Sequence, residues 1–384
     1  MIVAYNALSV RPGVDDGAAT YSVNLLHRLP AALPGARIVA YARSGEKRLH
    51  GVDGLEVEYV DVAGAAERVL RETFALSGRL RRAGASVLLS PNESIPRRAP
   101  CPVVVVAQNL VYHQQDEASF TGADRLARAV SRAQFAYYRR RMVSAYRRAE
   151  AVVAVSAETG RVLAARSGLD PRKTTVVHEG ADSVLLPAPR LDRPREPRLV
   201  IVSTLAPYKN HERALEAFAL VRRDHPELTL DIVGGDWRGY ERVVRTCVDR
   251  LGLRDVVRLR GAVAGAALAD LYERSLALVH LSGCESFGLP AVEAMRHGLP
   301  VVAAARSSLP EVLGPAAAYA DPDDPAAVAE LLIEVVATPA ARADLSRRGI
   351  TRAAELTWAA TAAGVARVLV TAVGRGGVPH GSSV

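Results

Sequence analysis

Residues 282–298 read Ser-Gly-Cys-Glu-Ser-Phe-Gly-Leu-Pro-Ala-Val-Glu-Ala-Met-Arg-His-Gly, which puts Glu285 in a glycine-flanked turn and Glu293 inside a short helix. Pro290 suits the first helical position and Gly298 the residue just past the end. The turn Ser286-Phe287-Gly288-Leu289 then lies where the N–H groups of a helix start meet the positive end of its dipole, a ready-made anion site. Glu285 stands before that site and Glu293 two turns beyond Glu285. A phosphorylated sugar would satisfy both the anion site and the carboxylates. Two glutamates eight apart are common in helices, but two glycines, a proline and a phenylalanine around them leave little freedom for a generic surface turn.

Outward from this stretch, strand-like and helix-like segments alternate. The spacing predicts a strand at 198–203, a loop through Lys209, a helix at 211–223 and a strand at 228–233. A helix at 239–251, a strand at 256–260, a helix at 265–274 and a strand at 276–281 follow, with a further strand at 299–304 beyond the quoted stretch. Asp324 caps a helix from Pro325 whose Val328, Leu331, Leu332, Val335 and Val336 form one apolar stripe. Before residue 198 the same alternation runs through strands near 1–5, 37–41, 55–60, 86–90, 102–107, 151–155 and 174–177, with helices at 66–83, 124–149 and 157–167. Pro187, Pro189, Pro194 and Pro197, among several arginines, mark 183–198 as a linker. The expectation is an α/β chain of two doubly wound, Rossmann-like domains, 1–187 and 198–355, facing across a cleft, with a final helix near 356–373 and a disordered tail at 374–384.

Hydrophobic residues at 49% and charged residues at 23% suit a globular protein with a substantial core. Three cysteines without metal-ligand spacing fit reduced thiols. The opening Ile2-Val3-Ala4-Tyr5 reads as a strand, so no secretory leader and a cytoplasmic location are expected, and apolar runs such as 103–107 are far too short to span a membrane. The net charge of +8 invites nucleic acid as a partner, yet Lys47, Lys173 and Lys209 are the only lysines among 49 basic residues, a skew of genome composition. The arginine-rich helix at 124–149, with Phe135, Tyr137, Tyr138 and Tyr146, is read mainly as packing one face on a sheet, with peripheral contact at the inner membrane face kept as a second reading. No nucleic-acid motif accompanies it.

The segment Glu285-Ser286-Phe287-Gly288-Leu289-Pro290-Ala291-Val292-Glu293 resembles the Glu-x7-Glu signature of retaining glycosyltransferases of family 4. The resemblance implies the GT-B fold, a C-terminal half that binds a nucleotide-diphosphate sugar, an N-terminal half that binds a hydroxyl-bearing acceptor, and a last helix that crosses back. It implies that Lys209, Gly17 and the turn Ser286, Phe287, Gly288 and Leu289 hold the donor diphosphate, that Glu293 holds the ribose, and that Glu285 contacts the sugar. Gly180 would be a hinge glycine. Two positions depart from the pattern: Ser203 stands where many members carry a second diphosphate cation, and Gln108-Asn109 where many carry a histidine. Gln108 donates a hydrogen bond but is neither acid nor base; it is the catalytic candidate of the N-terminal half, with Asn109 and His113 on the acceptor side.

The expected activity is transfer of a hexose or deoxyhexose to a polysaccharide, a lipid-linked glycan or a secondary metabolite, with retention and without a metal or other cofactor. A helix start and Lys209 would stabilise the leaving diphosphate. Asp321-Pro322-Asp323-Asp324 is better read as a turn and helix cap than as a metal pair. A sugar-nucleotide epimerase lacks an evident acid–base pair, and a dinucleotide oxidoreductase lacks a G-x-G-x-x-G after the first strand. A nucleotide-sugar-binding relative with weak or no catalysis, acting as a partner or regulatory subunit, is the alternative that Ser203 and Gln108 keep open.

Overall fold

The computed structural model describes residues 1–114 and 125–376, so the tail expected at 374–384 lies from 377 onward outside the described residues. The chain forms two compact units. One comprises Met1–His113, Gln134–Glu179 and the C-terminal helix from Trp358; the other comprises Gly180–Thr357 together with the described part of 114–133. The division thus falls at Glu179–Gly180, a few residues ahead of the proline-rich stretch.

The first unit is built on seven parallel strands: β1 (Ile2–Ala7), β2 (Arg37–Arg43), β3 (Leu55–Val60), β4 (Val87–Ser90), β5 (Val103–Ala107), β6 (Ala151–Ala154) and β7 (Thr174–Val176), in the order β3-β2-β1-β4-β5-β6-β7. β5 is Val-Val-Val-Val-Ala and buried throughout, as a strand covered on both faces must be. The helix Ala157–Ser167 begins where expected: the Ser156 side chain accepts from the Thr159 N–H at 3.1 Å, and Gly168 ends it in the left-handed region. In the helix Arg125–Arg148, Phe135, Met142, Ala145 and Tyr146 are buried, while Arg141 donates to Ser94 Oγ (2.8 Å) and Arg148 to the Pro96 carbonyl (2.7 Å). One face of that helix is thus buried, and two of its arginines bond to the segment 94–96 that follows β4.

The second unit carries β8 (Arg198–Val202), β9 (Thr229–Val233), β10 (Val257–Gly261), β11 (Ala277–His280), β12 (Val301–Ala304) and β13 (Ala318–Ala320), all parallel, in the order β10-β9-β8-β11-β12-β13. Its core joins Leu199, Ile201, Phe218, Leu230, Val279 and Val302 to Val328, Leu332 and Val335 of the helix Pro325–Ala337. Asp324 caps that helix, and Asp321 and Asp323 pair with Arg306. In both sheets the strand order reverses next to the first strand, between β1 and β4 and between β8 and β11.

A helix that the sequence reading did not include, Pro339–Glu355, precedes the final helix, which is expected near 356–373 and runs Trp358–Gly376 after the break at Leu356–Thr357. By length and composition the stretch 339–375 would suffice to cross a membrane, which the apolar runs in the sequence did not suggest, but 56% of its apolar window is buried. The second helix seals the first unit: Trp358 stacks edge-on against Tyr21 (5.6 Å, 78°), Thr361 donates to the His178 carbonyl (2.7 Å), and Val177 leaves no room for a side chain at Gly364.

Candidate functional site

The reversal between β8 and β11 places the loops after these two strands side by side, and ligands of doubly wound sheets bind outside such carboxyl ends. After β8 the chain makes a single tight turn, Pro207–Lys209, and leaves it through Asn210 at φ +57°. Asn210 Nδ2 donates to the Leu281 carbonyl and the Gly283 N–H to the Tyr208 carbonyl, both at 2.8 Å. These bonds sew the lysine loop to the signature turn. Lys209 Nζ lies 2.5 Å from Glu285 Oε1, and Nε2 of His280, the last residue of β11, lies 3.0 Å from the same oxygen. Ser307, after β12, grips the Glu285 backbone from both sides: it accepts from the Glu285 N–H (3.1 Å) and donates to its carbonyl (2.7 Å).

Burial is the largest influence on both members of the pair and opposes ionisation of each. The charge of Lys209 and the contact with His280 nevertheless hold the Glu285 carboxyl well below its usual range, while Glu285 raises the Lys209 ammonium above its own. Lys209 also sits 5.2 Å from the centre of the Tyr208 ring. The pair is therefore charged at neutral pH and nearly shut from water, with 13% and 11% of the two side chains exposed.

The helix that follows is Leu289–Arg296, so Pro290 is its second residue and not its first. Gly288 stands before it at φ +99°, where a Cβ would come within 2.8 Å of Leu309 Cδ2. The N–H groups of Gly288 and Leu289 find no acceptor among the described residues. At the far end Gly298 is left-handed (φ +68°); the His297, Gly298 and Leu299 N–H groups bond back to Glu293, Met295 and Ala294. Glu293 is not an exposed helix residue: it is 8% exposed, with Oε2 3.4 Å from the Tyr272 hydroxyl.

Ser203 supplies no second cation. Its Oγ lies 3.1 Å from Nε2 of His211, whose pKa is brought down to about 4 by burial and then by Lys209, leaving a neutral ring.

The remaining candidates lie in the first unit. Gly17 opens the helix Gly17–Leu26 behind the Asp16 cap with open space around it, and the loop before it is braced by Arg48, which donates to the Val14 and Arg11 carbonyls (both 3.0 Å). The Gln108 and Asn109 N–H groups both donate to Glu93 Oε1, at 3.1 and 3.3 Å, and Asn109 Oδ1 accepts from Val111. Gln108 Nε2 is buried without an acceptor among the described residues. His113 is buried, its Nδ1 2.8 Å from Ser167 Oγ, and burial followed by Arg139 takes its pKa to about 4.

Sequence reasoning missed His280, Tyr272 and Glu93. His280 carried a faint signal, a polar residue ending an apolar strand five positions before Glu285. Glu93 carried none: it is buried, at φ +51°, and also accepts from the Tyr146 hydroxyl at 3.2 Å. Among the described residues no three His, Cys, Asp or Glu side chains are grouped to hold a metal ion.

Two parallel sheets of this topology make the GT-B fold, and solved structures of that kind overlay on almost the whole chain. Sucrose-phosphate synthase from Thermosynechococcus elongatus matches with a TM-score of 0.76 at 18% identity, covering 97% of this chain and 99% of that one. Anabaena HepE, solved in complex with UDP and glucose, matches with a TM-score of 0.70 at 18% identity, covering 97% and 100%. The family described as Glycosyltransferase Family 4 matches residues 16–185 and that described as Glycosyl transferases group 1 matches residues 187–352. The chain belongs to glycosyltransferase family 4. Among curated relatives, a D-inositol 3-phosphate glycosyltransferase of Thermobispora bispora is 32% identical over 59% of this chain, and the match spans 57% of that relative's length. The O-antigen chain mannosyltransferase B of Escherichia coli is 32% identical over 41% of each chain.

Proposed function

We propose that this protein transfers a hexose or deoxyhexose from a nucleotide-diphosphate sugar to a hydroxyl-bearing acceptor, with retention of configuration and without a metal ion, its site of action being cytoplasmic. The observation that carries the reading is the buried Lys209–Glu285 pair beside the open N–H groups of Gly288 and Leu289. A diphosphate placed there meets a compact cation and oriented amide dipoles, which stabilise charge on the leaving group in advance of bond breaking. Glu293 binds the ribose hydroxyls. Glu285, released in part from Lys209 by the incoming phosphates, turns its carboxylate to the sugar hydroxyls and the cationic ring. The bond from the anomeric carbon to phosphate oxygen breaks, the acceptor oxygen bonds to that carbon on the same face, and the acceptor proton passes to the departing phosphate. Gln108 serves as a hydrogen-bond donor, since an amide exchanges no proton at neutral pH, and the Gly17 loop is assigned to the diphosphate on resemblance.

The named relatives act on an inositol phosphate and an O-antigen chain, which favours a polyol or glycan acceptor here. A thermal-shift screen of UDP-, GDP- and dTDP-sugars tests the donor: at a hundred times its dissociation constant the right one adds about 2.7 kcal/mol. Nucleotide release with inositol phosphate, mannoside and lipid-linked glycan acceptors then tests turnover. Binding without release under every acceptor would leave a nucleotide-sugar-binding subunit in place of the enzyme.

A further inference from the structure

The end of the helix Gly265–Arg274 reaches the signature helix through two side chains, and the stretch 187–197 is tied to that same end. Tyr272 is fully buried with its hydroxyl 3.4 Å from Glu293 Oε2. Burial and then the Glu293 charge keep the phenol far above its ordinary pKa, so it remains an O–H donor. The adjacent Glu273, also buried, has Oε1 3.4 Å from Nδ1 of His297 at the C-terminal cap of the signature helix, and the Tyr272 and His297 rings lie 5.8 Å apart. Burial lowers the His297 pKa against the pull of Glu273.

From the proline-rich stretch, Arg190 gives Glu273 its backbone N–H (2.9 Å) and its Nε (3.1 Å). Arg195 donates to the Ser275 carbonyl (2.6 Å) and to the Gly298 carbonyl (2.5 Å), joining the end of one helix to the residue that terminates the other. The stretch read from sequence as a linker is therefore strapped to the signature helix by partly buried arginine contacts.

We infer that Tyr272 is a positioning residue for Glu293, holding one carboxylate oxygen so that the group meets the ribose hydroxyls in one orientation, and that Arg190 and Arg195 support the same orientation through the strap. The inference rests on the reading of Glu293 as the ribose ligand. Each contact that fixes the carboxylate before the ligand arrives removes part of the rotamer freedom that the bonds formed on binding must otherwise offset. At 3.4 Å the Tyr272 contact is long for O–H···O, and such bonds shorten when the ligand completes the site.

The test is calorimetric titration of the wild type, Tyr272→Phe, Glu293→Gln and the double variant with UDP, GDP and dTDP and with the 2′,3′-dideoxy form of each. Tyr272→Phe should weaken the best hydroxyl-bearing nucleotide about tenfold and leave its dideoxy form unchanged. The double variant should bind no more weakly than Glu293→Gln alone, because Tyr272 acts through that carboxylate. Arg190→Ala should show the same hydroxyl-dependent loss in smaller degree; its side chain is 57% exposed, so it carries the test if Tyr272→Phe loses cooperative unfolding. Equal weakening of both nucleotide forms, or losses that add in the double variant, would overturn the inference and leave Tyr272 as packing. If Glu293→Gln abolishes hydroxyl discrimination while Tyr272→Phe and Arg190→Ala retain it, positioning is wrong and the ribose reading stands. If Glu293→Gln keeps full discrimination, or the wild type binds none of the nucleotides, the ribose reading falls and the inference with it.

Discussion

Replacing Lys209 by alanine should cost stability as well as donor affinity, because it strands the Glu285 carboxylate in a nearly closed site. Glu285 is 11% exposed and would be left with His280, at 3.0 Å, beside its Oε1. Removing one partner of a buried ion pair costs about 3–5 kcal/mol, and the residual exposure and His280 argue for the lower end, about 3 kcal/mol. At about 2–4 °C per kcal/mol for a unit of this size, the melting temperature should fall by about 6–12 °C. In the wild type the Glu285 carboxyl is held below its usual range, burial being outweighed by Lys209 and His280, so its contribution is full above the unfolded carboxyl pKa and fades as pH falls through the depressed folded value. Without Lys209 burial dominates, the sign reverses, and the variant should gain on the wild type as the solution is acidified. Adding Glu285→Gln removes the stranded charge and should restore most of the loss. Urea unfolding of the single and double variants between pH 4 and pH 8, with titration of nucleoside diphosphate, measures all of this; the expected drop in binding is about 1.5–3 kcal/mol for a lost charge-assisted contact. A Lys209→Ala protein as stable as the wild type at pH 7, and as good a binder, would refute the reasoning.

Glu285→Gln should tighten binding of the free nucleoside diphosphate, by releasing Lys209 and removing a negative charge beside the phosphates, while lowering turnover; weaker binding with normal turnover in the same titration and rate measurement would reverse the assignment. Glu93, whose pKa is raised to about 7 by burial against its bonds from the Gln108 and Asn109 N–H groups and the Tyr146 hydroxyl, binds its proton more tightly folded than unfolded. Stability should therefore fall as pH rises from the ordinary carboxyl range to about 7, and Glu93→Gln should flatten that slope in unfolding curves measured across it. Gly288→Ala should cost about 1–3 kcal/mol by calorimetry, since φ +99° disfavours any side chain and Leu309 must also shift; an unchanged melting temperature would mean the turn can relax. Turnover should survive a chelator nearly intact, and strict dependence on added magnesium or manganese would overturn the metal-free mechanism.

Much of the architecture was legible from local chemistry. Short-range signals bounded many elements: the Ser156 and Asp324 caps, the left-handed Gly298, and the all-apolar β5, whose lack of alternation announced a strand buried on both faces. These readings need only a residue and its neighbours within a turn. Where the local signal was weak an element went unread: the helix Pro339–Glu355 had no place in the sequence reading, and the break at Leu356–Thr357 comes where Trp358 begins the last helix, in the first unit.

The site divides in the same way. Glu285, Glu293 and the turn between them were visible because their geometry is a property of one helix start. That Lys209 would lie 2.5 Å from Glu285, 76 positions away, follows from β8 and β11 being neighbours at the reversal of strand order, a choice made by the whole sheet. Burial was the other thing only the tertiary structure decided. It set the Glu293 carboxylate next to Tyr272, made Glu93 the acceptor for the Gln108–Asn109 turn, and converted a proline-rich linker into a strap, because water is excluded only where distant segments close over a residue together.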